Sequence, residues 1–134
     1  MDNSSQRLHT VFFYGLYMDP TILEQKGVVP RQPCLASVEN YELRIGNKAT
    51  LLRSPGKLCH GMVYSLTQEE IHALYWGSGL EEYRTEAVLV KVGGKVSAAL
   101  CCNLLHPPED DESNPVYASK LKHTMQKLGV PVLF

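Results

Sequence analysis

"HTVFFYGLYMDP", residues 9–20, changes character twice. Val11, Phe12 and Phe13 form an unbroken apolar run and read as a buried strand. Tyr14-Gly15 breaks that run. Asp19-Pro20 then opens a new element, an N-cap aspartate ahead of a first-turn proline. The short helix it starts runs through "TILEQK" and stops at Gly27. The first strand therefore ends in a glycine turn flanked by Tyr14, Tyr17 and Met18. Such a turn either packs the chain or holds something, and the remaining sequence bears on which.

By length, 134 residues make one domain. A chain of this size buries roughly 65–70% of its unfolded surface, enough for a core of its own. With 44% hydrophobic and 20% charged residues, disorder is excluded on composition. The net charge is −1 and no basic block exceeds a few residues, so neither nucleic acid nor anionic lipid meets a patch. Nothing approaches the roughly 18 consecutive apolar residues of a membrane span. "MDNSSQRLH" is polar and lacks the apolar stretch of a signal peptide, so residues 1–9 are expected as a flexible arm and 10–134 as the folded domain.

Cys34, Cys59, Cys101 and Cys102 form no CxxC pair and have no histidine at zinc-like spacing. Adjacent Cys101 and Cys102 lie in an apolar run, where a strand points them to opposite faces. Buried, reduced thiols and a cytoplasmic address follow. No metal and no cofactor are expected. "HPPEDDESNP" (residues 106–115) is a solvated acidic loop without the alternating ligands and glycine of a calcium loop.

Strands are expected at 10–14, 33–45 with an interruption, 49–52, 58–65, 82–92 and 96–104. "KVGGKV" joins the last two through Gly93-Gly94, a strong hairpin signal. Two further helices have start signals. Thr67 with Glu70 makes a capping box ahead of "IHALYW". Asn114-Pro115 repeats the Asp19-Pro20 device and opens "VYASKLKHTMQKLG", where Tyr117, Leu121, Thr124/Met125 and Leu128 share a face and Gly129 with Pro131 is the stop. Strands outnumber helices, which predicts an α+β domain whose antiparallel or mixed sheet curls toward a barrel.

No P-loop, GxGxxG or GxSxG is present. The histidines (His9, His60, His72, His106, His123) are scattered and read as structural or solvated. "YWGSGLEEY" (residues 75–83) is odder: a helix end runs into Gly77-Ser78-Gly79, then two carboxylates and a strand.

Taken in order, "FFYGLYM", "ATLLRSPGKLCHGMVYSLTQEEIHAL", "YRTEAVLVKV" and "PVYASKLKHTMQKLGVP" resemble the gamma-glutamylcyclotransferase-like proteins. That family has a Tyr-Gly-Ser/Thr turn after its first strand and a Gly-x-Val-Tyr strand before a short helix. A Leu-Asp-x-x-Glu-Gly segment follows the helix, and then a Tyr-Arg-rich strand. The resemblance implies a small mixed β-barrel with about three flanking helices and a small-ligand pocket at one end. Tyr14, Gly15, Leu16, Tyr17 and Met18 would cradle a gamma-glutamyl compound, with Ser78 and Tyr83 also lining it. A turn with inward N–H groups can hold a carboxylate without a charged side chain.

The family's reaction closes the substrate's own α-amine onto its γ-carbonyl, giving 5-oxoproline and a released amine. Intramolecular attack spends little entropy at the barrier, but one carboxylate must move the protons. In the resemblance that glutamate falls on Ser78, with Leu74 on the leucine, Tyr75 on the aspartate and Gly79 on the glycine. Serine has no useful basicity near neutral pH. Leu16-Tyr17-Met18 also departs from the small hydroxyl and amide of the family turn, and Asn103 falls near a pocket tyrosine of some members. Two readings stand: a non-catalytic or divergent relative that keeps the pocket, or an active amine lyase using a displaced Glu82 or Glu81. Strand alternation would turn at most one of these inward, and Arg84 is a candidate partner for a carboxylate.

Overall fold

The computed structural model describes residues 4–77 and 79–134, and its order is five strands with three α-helices: β1 (Leu8–Phe13), α1 (Pro20–Gln25), β2 (Arg31–Ile45), β3 (Ala49–Thr67), α2 (Gln68–Tyr75), β4 (Tyr83–Val92), β5 (Lys95–Leu104) and α3 (Pro115–Leu128). A 3-10 turn, Leu16–Met18, links β1 to α1. Each strand has two neighbours, and the order β1-β3-β2-β4-β5 closes on itself. Two seams of this small barrel are narrow. β1 meets β5 in parallel through Val11 opposite Leu100, and β2 meets β4 through Ser37 opposite Lys91. The other three seams are long antiparallel ladders. The α+β class and the three helices are as expected from sequence.

The helix signals act as read. Asp19 caps α1 by accepting from the Thr21 N–H at 2.9 Å. Thr67 and Glu70 exchange hydrogen bonds at the start of α2, and Asn114 accepts from the Tyr117 N–H before α3. Gly93 and Gly94 both take positive φ, 56° and 83°, as the tight turn between β4 and β5 requires.

The main departures from the expected strand boundaries are in β3 and β1. The segments 49–52 and 58–65 are one strand, because β3 continues through Pro55-Gly56. The ladder opens there instead of ending: Tyr41 faces Arg53 and Glu39 faces Leu58, so Asn40 (φ 66°) alone spans the extra residues of β3. The Asn40 side chain accepts from the Gly56 N–H at 3.0 Å and holds the bulge. β1 begins at Leu8, so Leu8 and His9, assigned from sequence to the arm, pair with Thr67 and Leu66.

Alternation along the strands divides the core in two. Phe12, Val38, Leu51, Val63, Val88, Val90 and Cys101 belong to one cluster, with Tyr14. Val11, Phe13, Met62, Tyr64, Leu66 and Cys102 belong to the other, where α1, α2 and α3 add Leu23, Ile71, Leu74, Leu121 and Met125. Because both faces of β1 are covered, Val11-Phe12-Phe13 is an unbroken apolar run. Consecutive Cys101 and Cys102 serve opposite clusters.

Candidate functional site

The C-terminal end of β1, the β2–β3 hairpin and the α2–β4 connection border a cavity of about 300 Å³. That is at the small end of the range for small-molecule sites. Tyr14, Gly15, Leu16 and Tyr17 all line it. Its deep wall is Phe13 and Tyr14, both buried, and three more phenols, Tyr75, Tyr83 and Tyr117, surround them. Lys26, Asn47 and Lys48 stand at the more exposed rim. Among the described lining residues the only charged side chains are the two lysines.

The phenols are anchored, which gives the cavity a fixed shape. Tyr14 donates its hydroxyl to the Cys102 carbonyl at 2.7 Å, Tyr17 to the Leu74 carbonyl at 2.6 Å, and Tyr83 to the Ala49 carbonyl. Burial pushes the Tyr14, Tyr75 and Tyr83 hydroxyls above the ordinary phenol range. They are neutral donors near pH 7, not bases. Phe13, Tyr17, Tyr75 and Tyr83 form a chain of ring contacts with centroids 5.4–6.1 Å apart.

Gly15 is explained by close approach. A Cβ there would lie 2.5 Å from the Tyr117 hydroxyl, and that same hydroxyl accepts from the Leu16 N–H at 3.4 Å. One N–H of the turn is thus directed at α3. Met18 does not line the cavity. It is fully buried in the helix-side core, and its carbonyl accepts from the Tyr64 hydroxyl at 2.6 Å, pinning the turn from behind.

Neither candidate carboxylate lines this cavity. β4 begins at Tyr83, so Glu81 and Glu82 belong to the preceding turn and strand alternation does not govern them. Glu82 meets Lys48 at 2.8 Å with its side chain 70% exposed. Glu81 borders a neighbouring surface depression with His72, Trp76 and Arg84. The backbone N–H groups of Glu81 itself, Gly79 and Gly77 outweigh a small desolvation effect and hold the Glu81 carboxyl below its usual range. Among the described residues Arg84 takes up no carboxylate: it donates to the carbonyls of Glu81 and Tyr83 at 2.6 and 3.0 Å. Ser78 lies outside the described residues. Asn103 is buried away from the cavity, donating to Glu86 at 2.5 Å and accepting from the Leu51 N–H.

Sequence reasoning missed Tyr117, Tyr75, Lys26, Asn47 and Lys48 as lining residues. Tyr117 was visible only as a member of a helix face. Asn47 and Lys48 sit at a hairpin tip, where polar residues carry no functional signal.

Solved structures with the same architecture cover almost the whole chain. YkqA from Bacillus subtilis superposes with a TM-score of 0.75 at 23% identity over 92% of this chain. A gamma-glutamyl cyclotransferase superposes at 0.77 with 20% identity, covering 93% of this chain and 82% of that one. The fold is that of gamma-glutamyl cyclotransferase. The human protein loc79017 shares this cyclotransferase fold too, with a TM-score of 0.75 at 19% identity over 95% of this chain and 83% of that one. The chain spans about half the length of YkqA, 50%. No protein-family profile and no curated protein sequence matches it.

Proposed function

We propose that this cyclotransferase-fold protein binds a gamma-glutamyl-type small molecule in its tyrosine-lined cavity and does not turn it over efficiently. The observation that carries this reading is the cavity's lining. The Tyr14–Tyr17 turn borders it, where the resemblance puts the family's substrate pocket, while none of its described lining residues is a carboxylate. Cyclisation needs an acceptor for the α-ammonium proton, and phenols raised by burial do not provide one. The Ser78 position, where the resemblance puts the acid/base, carries a hydroxyl. Four free cysteines and no described helix apolar enough to cross a membrane are compatible with a cytoplasmic setting, which is part of the proposal.

One observation favours the second reading, an active amine lyase. Glu82 pairs with a cavity residue, Lys48, at 2.8 Å, which holds its carboxylate beside the rim. Calorimetric titration with gamma-glutamyl amides tests the binding half directly. Saturable binding that Tyr83→Ala weakens is expected, and the absence of any binding would contradict the reading.

A further inference from the structure

Resting on the reading that this cavity takes a small molecule, we infer that its rim selects ligands bearing a carboxylate on their outward end. Lys48 receives that carboxylate, and Glu82 competes for the same ammonium.

Tyr14, Tyr17 and Tyr83 commit their single O–H protons to backbone carbonyls, so these three rings offer a ligand aromatic surface and no spare donor. Among the described lining residues charge is confined to the rim and is positive, Lys26 from the end of α1 and Lys48 from the β2–β3 hairpin. A ligand that fills the cavity therefore meets aromatic surface inside and ammonium groups as it leaves.

Lys48 is positioned and not merely present. The hairpin tip is closed by the Gly46 N–H donating to the Lys48 carbonyl at 3.2 Å. The acidic loop holds it from outside: Glu112 accepts from the Asn47 N–H at 3.3 Å, and Gly46 leaves room for Pro108. The other Glu112 oxygen accepts from the Glu109 N–H at 2.7 Å, so this carboxylate is committed to backbone and does not neutralise the lysine.

Glu82 is the group that does. Its carboxylate sits 2.8 Å from Lys48 Nζ, on a side chain 70% exposed against 30% for the lysine. Exposed ion pairs of this kind are weak, and an ammonium has three donors to offer. A ligand carboxylate arriving from the partly buried side can displace Glu82 at low cost. Glu82 thereby sets a threshold: neutral ligands leave the pair in place, and anionic ones exchange with it.

The test is equilibrium binding with two matched probe pairs, gamma-glutamylglycine against gamma-glutamylmethylamide and 3-phenylpropionate against 3-phenylpropionamide. The carboxylate member should bind wild type about tenfold more tightly in at least the second pair, the scale of a charge-assisted hydrogen bond. Lys48→Gln should abolish the preference, Lys48→Arg should keep it, and Glu82→Gln should strengthen carboxylate binding several-fold. Equal affinity within both pairs, a preference that survives Lys48→Gln, or no binding by any probe would overturn the inference. If only the phenylpropionate pair binds, with the carboxylate preferred, the rim selection stands and the gamma-glutamyl reading fails.

Discussion

Gly15 shows how one residue reports on the site. Its backbone torsions are ones any residue could adopt, φ −113° and ψ −158°, so its necessity is steric. A methyl group would enter the Tyr117 hydroxyl, which is the far end of a stiff ring and cannot move alone. Gly15→Ala should destabilise the protein by about 1–3 kcal/mol, as overpacking does, measured by urea unfolding. Adding Tyr117→Phe should recover part of that loss by removing the clashing atom. Equal stability of Gly15→Ala and wild type would contradict this account of the turn. The glycine break after "VFF" was legible, but its reason was not, since Tyr117 lies 102 positions along the chain and is brought there only by α3. A second residue-scale expectation concerns Ser78. Ser78→Glu should bring measurable 5-oxoproline release from a gamma-glutamyl amine, with an acid/base contribution on the order of 10²–10⁴-fold. A gain would support the placement of the family glutamate on this position; failure of this variant alone does not decide it, because the turn also departs from the family at Leu16-Tyr17-Met18.

At the scale of elements, helix starts were readable because their chemistry is local. Asp19-Pro20, Thr67 with Glu70 and Asn114-Pro115 each satisfy N–H groups within a few residues. The β3 bulge was not readable, because Pro55-Gly56 signals a break whether the partner strand ends or, as here, Asn40 bridges the gap. The α2 cap also does more than its local signature implies. Glu70 accepts from the Val29 N–H at 2.9 Å and pairs with Arg31 at 2.7 Å, tying α2 to the entry of β2. Burial alone would push its carboxyl up, but the Arg31 guanidinium and the N–H groups of Thr67 and Val29 prevail and hold it at about 2. The folded value lies below the unfolded one, so the stabilisation is fully present above about pH 4.5 and is lost as pH falls toward 2. Glu70→Gln should cost on the order of 2–3 kcal/mol at pH 7, less whatever solvent screening of the partly exposed Arg31 removes. It should also flatten the acid limb of the stability profile. A mutant whose stability falls between pH 4.5 and 2 as steeply as wild type would contradict the assignment.

For the whole molecule, the barrel's two apolar clusters decide what is reachable. Cys59, Cys101 and Cys102 are buried and Cys34 is exposed. Burial pushes the Cys59 thiol up to about 12 and raises Cys101 and Cys102 as well. A thiol reagent at pH 8 should label one cysteine rapidly, and Cys34→Ser should remove that phase. The other three should react only on unfolding; rapid labelling of more than one thiol would contradict the packing. The burial of adjacent Cys101 and Cys102 on opposite faces was legible from the apolar run, as was the α+β class. The cavity's chemistry was only half legible. The turn that borders it is contiguous in sequence, whereas Lys26, Lys48 and Tyr117 converge from three elements with no shared pattern.

Assaying 5-oxoproline release decides whether the pocket binds without efficient turnover. Purified wild-type protein would be assayed against a panel of gamma-glutamyl amino acids and amines, beside Glu81→Gln and Glu82→Gln. No efficient turnover is expected for wild type and both mutants alike, under conditions where ligand is bound. Robust release by wild type that disappears in either mutant would contradict this and make that glutamate the acid/base.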